Sequence, residues 1–152
     1  MWYDKTNFDH AALDFNIPTW GLGMIYQSSG LRTNFMGQTY FQSINIIEEA
    51  YELEINESAW KAAAKLCALR EGRPYGLLEV FGKMVVCSLF LVSGGKFRIK
   101  NPFRSVDTDC ISEVATILSQ ALGIQTPLDM DTVTVKPFRD WVASLPGVRK
   151  VA

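Results

Sequence analysis

The chain has 152 residues, of which 48% are hydrophobic and 20% charged, with a formal net charge of -1. That length suits a single domain able to bury a core without disulfide or metal staples. The composition is too apolar for disorder. The balanced charge excludes a whole-molecule field that would draw the chain to nucleic acid or an anionic membrane, and leaves only local basic patches open.

Three cysteines, Cys67, Cys87 and Cys110, stand far apart among apolar neighbours, with no Cys-x-x-Cys pair. They read as small core residues in a reducing compartment, so a cytoplasmic location, or a particle assembled there, is expected. The first twenty residues alternate charged, aromatic and polar groups, unlike an export signal. The most apolar run, residues 84–92, is about half of what a bilayer span needs.

Residues 1–40 carry Pro18 and four glycines (Gly21, Gly23, Gly30, Gly37) among scattered aromatics. Segments 20–27 and 31–36 fit two short strands about a Ser28-Ser29-Gly30 turn. An irregular arm with a short helix over 9–15 fits equally well. Phe8, Phe15, Trp20, Phe35 and Tyr40 are too many large apolar groups for a solvated tail, so this arm should lie on its own core or on a partner. Gly21-x-Gly23 lacks the third glycine and the following helix of a dinucleotide loop.

An acidic helix is expected next, over 39–55. At about 100° per residue, Glu48, Glu49 and Glu52 share a third of its circumference. Asn56 and Ser58 suit the cap of a second helix over 58–71, which Gly72 and Pro74 end. A third helix over 75–93 repeats Leu77, Leu78, Phe81, Met84, Val85, Ser88, Leu89 and Val92 at three- and four-residue spacing. It should be the central, most buried one. Lys96, Arg98, Lys100 and Arg104 then alternate with Phe97, Ile99 and Phe103. A solvated edge accounts for that pattern better than a nucleic-acid surface does.

Asp107-Thr108-Asp109 opens a fourth helix that runs to Leu122. A loop over 124–135 follows, and Pro137 starts a last short helix with Phe138, Trp141, Val142 and Leu145 on one face. The expected fold is therefore mainly α: one domain, a helical bundle of about four principal helices with a minor β element. Its parts are an aromatic-rich irregular arm or hairpin (1–40), a helical core (41–123), and a loop with an amphipathic helix (124–152).

Chemistry is scarce. There is one histidine, His10, and no Gly-x-Ser-x-Gly, so nucleophilic hydrolysis has little sequence support. Nothing in the sequence marks a Cys–His pair, and one histidine with three isolated cysteines disfavours zinc. Carboxylates on one helix face remain, and such a pair can hold Mg²⁺ while water and phosphate complete its shell. A strip of three acids repels itself unless a cation is near. The competing reading is a solvated face answered by Lys61, Lys65 or Lys83.

Residues 46–53, Ile-Ile-Glu-Glu-Ala-Tyr-Glu-Leu, resemble the EExxE helix of the all-α nucleoside triphosphate pyrophosphatases, the MazG-like superfamily. The apolar stretch around Glu79 is similar in character to that family's second acidic helix. Counting from Glu79, however, puts Gly82 where the second motif carries aspartate. The resemblance implies an all-α, often dimeric fold that cleaves a nucleoside triphosphate to monophosphate and pyrophosphate with Mg²⁺. It implies Glu48, Glu49, Glu52 and Glu79 as metal ligands, and on that reading Lys61, Lys65 and Lys83 would meet phosphate.

Two functions stay open, and with them whether the chain is an enzyme. One is a non-catalytic interaction or assembly protein, such as a subunit of a larger complex or a viral structural component. Its contacts would be the N-terminal arm (Trp20) and the C-terminal helix (Phe138, Trp141). The other is the Mg²⁺-dependent pyrophosphohydrolase, or an inactive descendant that still binds nucleotide. The incomplete acidic set favours the first. Protein partners or self-association are expected, nucleotide stays open, and neither membrane nor nucleic acid is expected.

Overall fold

The computed structural model describes residues 10–17, 21–29, 32–74, 77–94, 96, 99–100, 110–130 and 133–151; of residues 29, 77–80 and 83 it describes the backbone alone. The first described stretch is sheet. β1 (Ala12–Ile17), β2 (Leu22–Ser29) and β3 (Arg32–Gly37) form an antiparallel meander in that order. Leu13 lies opposite Tyr26, and Tyr26 opposite Phe35, so one face of the sheet is apolar. Ser29 pairs with Arg32, which fits the hairpin reading of 20–36. Over 12–15 the helix considered for 9–15 is strand instead, because Leu13 and Phe15 alternate with Asp14 and Asn16 at period two, and residue 9 lies outside the described residues.

The acidic helix expected over 39–55 does not form. α1 (Gln38–Ile44) stops at Asn45, whose backbone N–H and side-chain amide both donate to the Phe41 carbonyl at 3.0 Å. Asn competes for backbone groups in this way, and β-branched Ile44, Ile46 and Ile47 are stiff in a helix. Residues 45–50 are irregular. β4 (Tyr51–Leu53) then pairs antiparallel with β5 (Val148–Lys150) near the other end of the chain. Gly147, at φ +73°, makes the turn that delivers β5, and its carbonyl accepts from the Glu54 N–H at 3.1 Å.

α2 (Glu57–Arg70) starts where Asn56 Oδ1 accepts from the Ala59 N–H at 2.8 Å. Beyond its end, Gly72 turns at φ +77° and donates to the Thr33 carbonyl at 2.9 Å, which ties the helix terminus to β3. α4 (Cys110–Leu122) is the centre of the fold. Its Ile117 joins Phe15, Tyr26, Ala63 and Cys67 in one core cluster. Its Ala115 joins Trp141 and Leu145 in a second, which takes in α5 (Val135–Ala143).

The expectation of a mainly α, helical-bundle protein is thus overturned. The described residues form five helices and five strands in two antiparallel sheets, a mixed α/β fold. α3 (Leu77–Val92) also differs from its expected central place: Phe81, Met84 and Val92 are 54%, 59% and 89% exposed. Apolar periodicity specifies a stripe but not what covers it. Among the described residues, no helix is long and apolar enough to cross a membrane.

Candidate active site

Where α4 meets the sheet, the molecule buries a polar network. Glu113 is 1% exposed. Tyr26 Oη donates to its Oε1 at 2.9 Å, and Arg70 Nε approaches the same oxygen at 3.3 Å. Arg70 Nη2 also donates to Gln120 Oε1 at 3.4 Å. The backbone at Arg70 is held in turn, since Thr33 Oγ1 donates to the Arg70 carbonyl and accepts from the Arg73 N–H at 3.1 Å. A carboxylate taken out of water needs such partners. Burial, and then the Glu113 charge, push the Tyr26 hydroxyl up and the Cys67 thiol up to about 12, so neither ionises near neutrality.

Cys110, Glu113, Ile117 and Ala121 fall within about 80° of one helix face. That face packs on the sheet through Ile117 and Ala121. Glu113, held by Arg70 beside Thr33, marks the end of the sheet where Thr33 pairs with Ser28. Ala12 opposite Gln27 makes this also the end where His10 enters β1. Cys110, one turn before Glu113 and 3% exposed, is therefore the first described residue of α4 and lies toward the His10 end of the sheet.

His10 Nε2 meets Gln27 Oε1 at 2.9 Å. The buried Gln27 amide gives its Nε2 to Met36 Sδ at 3.3 Å, and since a thioether only accepts, Oε1 must be the atom that faces the ring. Histidine Nε2 is then the donor, and the lone pair of the neutral ring sits on Nδ1. A base oriented by a third group is what nucleophile activation requires. Ser28 Oγ, buried at the same end of the sheet, has no hydrogen-bond partner.

The residues expected to hold metal are placed differently. With α1 ending at Ile44, Glu48, Glu49 and Glu52 share no helix face. Lys150 Nζ donates to Glu49 Oε1 at 2.7 Å, Tyr51 Oη donates to Glu49 Oε2 at 2.9 Å, and Arg139 Nε lies 4.0 Å from that oxygen. The Lys150 hydrogen bond chiefly holds the Glu49 carboxyl below its usual range. Arg149 pairs with Glu52 across the two strands. The self-repulsion that would have called for Mg²⁺ is answered at Glu49 and Glu52 by β5 and α5, not by Lys61 or Lys65. Lys61 pairs with Glu57 at 2.6 Å, and Lys65 is exposed. No group of three His, Cys, Asp or Glu residues among those described could hold a metal ion.

The side chains of Glu79 and Lys83 lie outside the described residues, as does Trp20. Trp141 is buried in the second core cluster, with Phe138 packed at a centroid distance of 6.0 Å. Sequence reasoning missed Glu113, Gln27 and the position of Cys110. The available signal was a lone glutamate inside the apolar stripe of the fourth expected helix, one turn after a cysteine. No family model matches the sequence, and no curated protein or solved structure matches it either.

Proposed function

We propose that the chain is a cysteine-dependent acyl-transfer enzyme, acting on an amide, ester or thioester carbonyl. The observation that carries this is the His10–Gln27 hydrogen bond, which puts the lone pair of the neutral ring on Nδ1 at the end of the sheet toward which Cys110 lies. In this mechanism His10 takes the thiol proton as Sγ attacks the carbonyl carbon. The attack gives a tetrahedral oxyanion. Its collapse breaks the bond to the leaving group, which takes the proton from His10, and a thioester remains on Cys110. Water, deprotonated by His10, then attacks the thioester, and the acid departs as the thiol regains its proton. Gln27 holds the imidazole in the required tautomer. No step needs a metal or a redox partner.

The test is intact-mass analysis with p-nitrophenyl acetate. A transient acetyl group on Cys110 is expected, absent in Cys110→Ala and slowed by about 10²-fold or more in His10→Ala. No adduct, or an adduct on half-buried Cys87 formed equally in every variant, sinks the reading.

Assembly through protein contacts is a second reading with one observation in its favour. Tyr40, Ile44, Ile46 and Ile47 form an exposed apolar group at the end of α1, with Ile46 88% exposed. Sedimentation velocity on wild type and Ile46→Asp checks it. A concentration-independent monomer in both removes self-association from that reading.

A further inference from the structure

The two edges of the three-stranded sheet are finished differently. β3 is covered: Thr33 donates its N–H to the Arg73 carbonyl and accepts from the Gly72 N–H, both at 2.9 Å, and Arg32 bridges to Pro74. β1, at the other edge, pairs only with β2 among the described residues. Which of its backbone groups face out follows from Thr33. That residue lies opposite Ser28 and turns its N–H and C=O away from β2, so the two form a non-bonded pair. Bonded and non-bonded pairs alternate along antiparallel strands. Asn34–Gln27 is therefore bonded, Tyr26 turns to β1 instead, and Tyr26–Leu13 and Met24–Phe15 are the bonded pairs between β1 and β2. The N–H and C=O of Ala12, Asp14 and Asn16 are left pointing out of the sheet, and no hydrogen bond from a described residue meets them. Asp14 and Asn16 are exposed. The Asp14 carboxylate accepts from Gln38 Nε2. Partial burial raises its carboxyl, and only that hydrogen bond offsets the rise, with no cation contributing.

We infer that the open edge of β1 takes up an extended segment of a protein partner as a fourth strand, with a lysine or arginine of that segment opposite Asp14. Main-chain pairing to a sheet edge supplies affinity, and alternate side chains supply selectivity. A residue laid opposite Asp14 puts its side chain on the same face, with the two Cβ atoms about 5 Å apart. A cation there meets the charge that Gln38 leaves unanswered. The residues on either side of it point to the other face, beside Leu13 and Phe15. That face is apolar: Leu13 and Ile17 are half-buried, and Phe15 stands edge-on to the half-buried Trp60 of α2 at 5.9 Å. The segment that fits is therefore apolar, basic, apolar. A second copy of the chain fits worse. The antiparallel β1–β1 register that uses all three outward residues sets Asp14 opposite its own counterpart, and like charges directly opposite are destabilising. The edge uses neither His10 nor Cys110, so it and the thiol chemistry can fail separately.

The experiment is a ¹H–¹⁵N titration of the full chain with the capped peptide Thr-Val-Lys-Val-Thr and with a twin carrying glutamate for lysine. The lysine peptide is expected to shift the amides of β1. It should also slow hydrogen exchange at Asp14 and Asn16, which without peptide should exchange much faster than Leu13 and Phe15. The glutamate twin should bind more weakly by about fivefold or more, and Asp14→Lys should reverse the preference. Asn16→Pro removes an outward donor and no bond to β2, so it should abolish binding with the fold retained. No shift at β1 with either peptide overturns the inference, and so does equal binding of the two. Slow exchange at Asp14 and Asn16 without peptide overturns it as well, since the edge would already be covered. A concentration-dependent dimer with its amide shifts on β1, dissolved by Asn16→Pro, gives the edge to a second copy and overturns the assignment to a partner.

Discussion

Glu113 and Glu49 both meet an arginine, at 3.3 Å and 4.0 Å, yet the two acids stand in different physical situations. Glu113 lies under α4 with Tyr26 and Arg70 as its partners, where water supplies little of what they supply. Glu49 sits at the rim of the β4–β5 ribbon, where Lys150, Tyr51 and Arg139 compete with solvent for it. Acidic residues crowded in sequence drew attention to the second site, while the first has a single acid in an apolar stripe. Burial, not charge density, decides which of the two the fold depends on.

Removing one partner tests that difference most severely. Glu113→Ala leaves the Arg70 guanidinium and the Tyr26 hydroxyl without their shared acceptor. Breaking a buried pair from one side costs about 3–5 kcal/mol. Urea unfolding should show that loss at unchanged slope. Tyr26→Phe removes one donor and leaves the ion pair, so about 1–3 kcal/mol is expected. A Glu113→Ala variant as stable as wild type would place the carboxylate in water and remove the contrast with Glu49. Because Cys110 lies one turn before Glu113 on α4, the same variant should also slow acylation of Cys110, and Tyr26→Phe should slow it less.

The network has an alkaline signature. Burial and the Glu113 charge raise the Cys67 thiol to about 12 and also raise the Tyr26 hydroxyl. In the unfolded chain a thiol ionises near about 8.5. The folded state therefore binds more protons over this range, so this stability is complete below the unfolded value and drains away as pH rises toward about 12. Melting points from pH 8 to 10.5 should fall, and should fall less steeply in Cys67→Ala. Equal slopes would mean that Cys67 is reached by water.

Much of the helical content is legible in the sequence. Spacing and cap residues predict helices over 58–71 and 75–93, and the described helices run Glu57–Arg70 and Leu77–Val92. The β2–β3 hairpin is legible from its turn residues as one of two readings. The β4–β5 pair is not, because its strands have three residues each and find each other across nearly a hundred positions. Neither has a local signal, and the EExxE spacing supplies a false helical one. α3 and α4 carry stripes at the same spacing, 81-84-88-92 and 110-113-117-121, and only the tertiary fold shows that the second is covered. The candidate catalytic residues are illegible for a similar reason. His10 and Cys110 are a hundred positions apart, and what relates them is the packing of α4 on the sheet.

The smallest expected effect is at the rim. Lys150 and its neighbours hold the Glu49 carboxyl below its ordinary range, so the folded state resists its protonation. That contribution is present above the unfolded carboxylate value and is lost as pH falls through the lower folded one. Solvent and salt screen it throughout. Glu49→Gln should leave the neutral melting point within error and flatten only the acid limb of the stability curve, and this residue difference should fade in high salt. A metal-bound strip behaves otherwise: Mg²⁺ would raise the wild-type melting point, and Glu49→Gln would abolish the rise. With Glu49 and Glu52 already matched by bases on β5 and α5, Mg²⁺ has to displace Lys150 before it can bind Glu49, so coincident melts with and without Mg²⁺ are expected. A metal-dependent rise would mean that the ion pairs of the ribbon give way in solution and that the acidic stretch is a site after all.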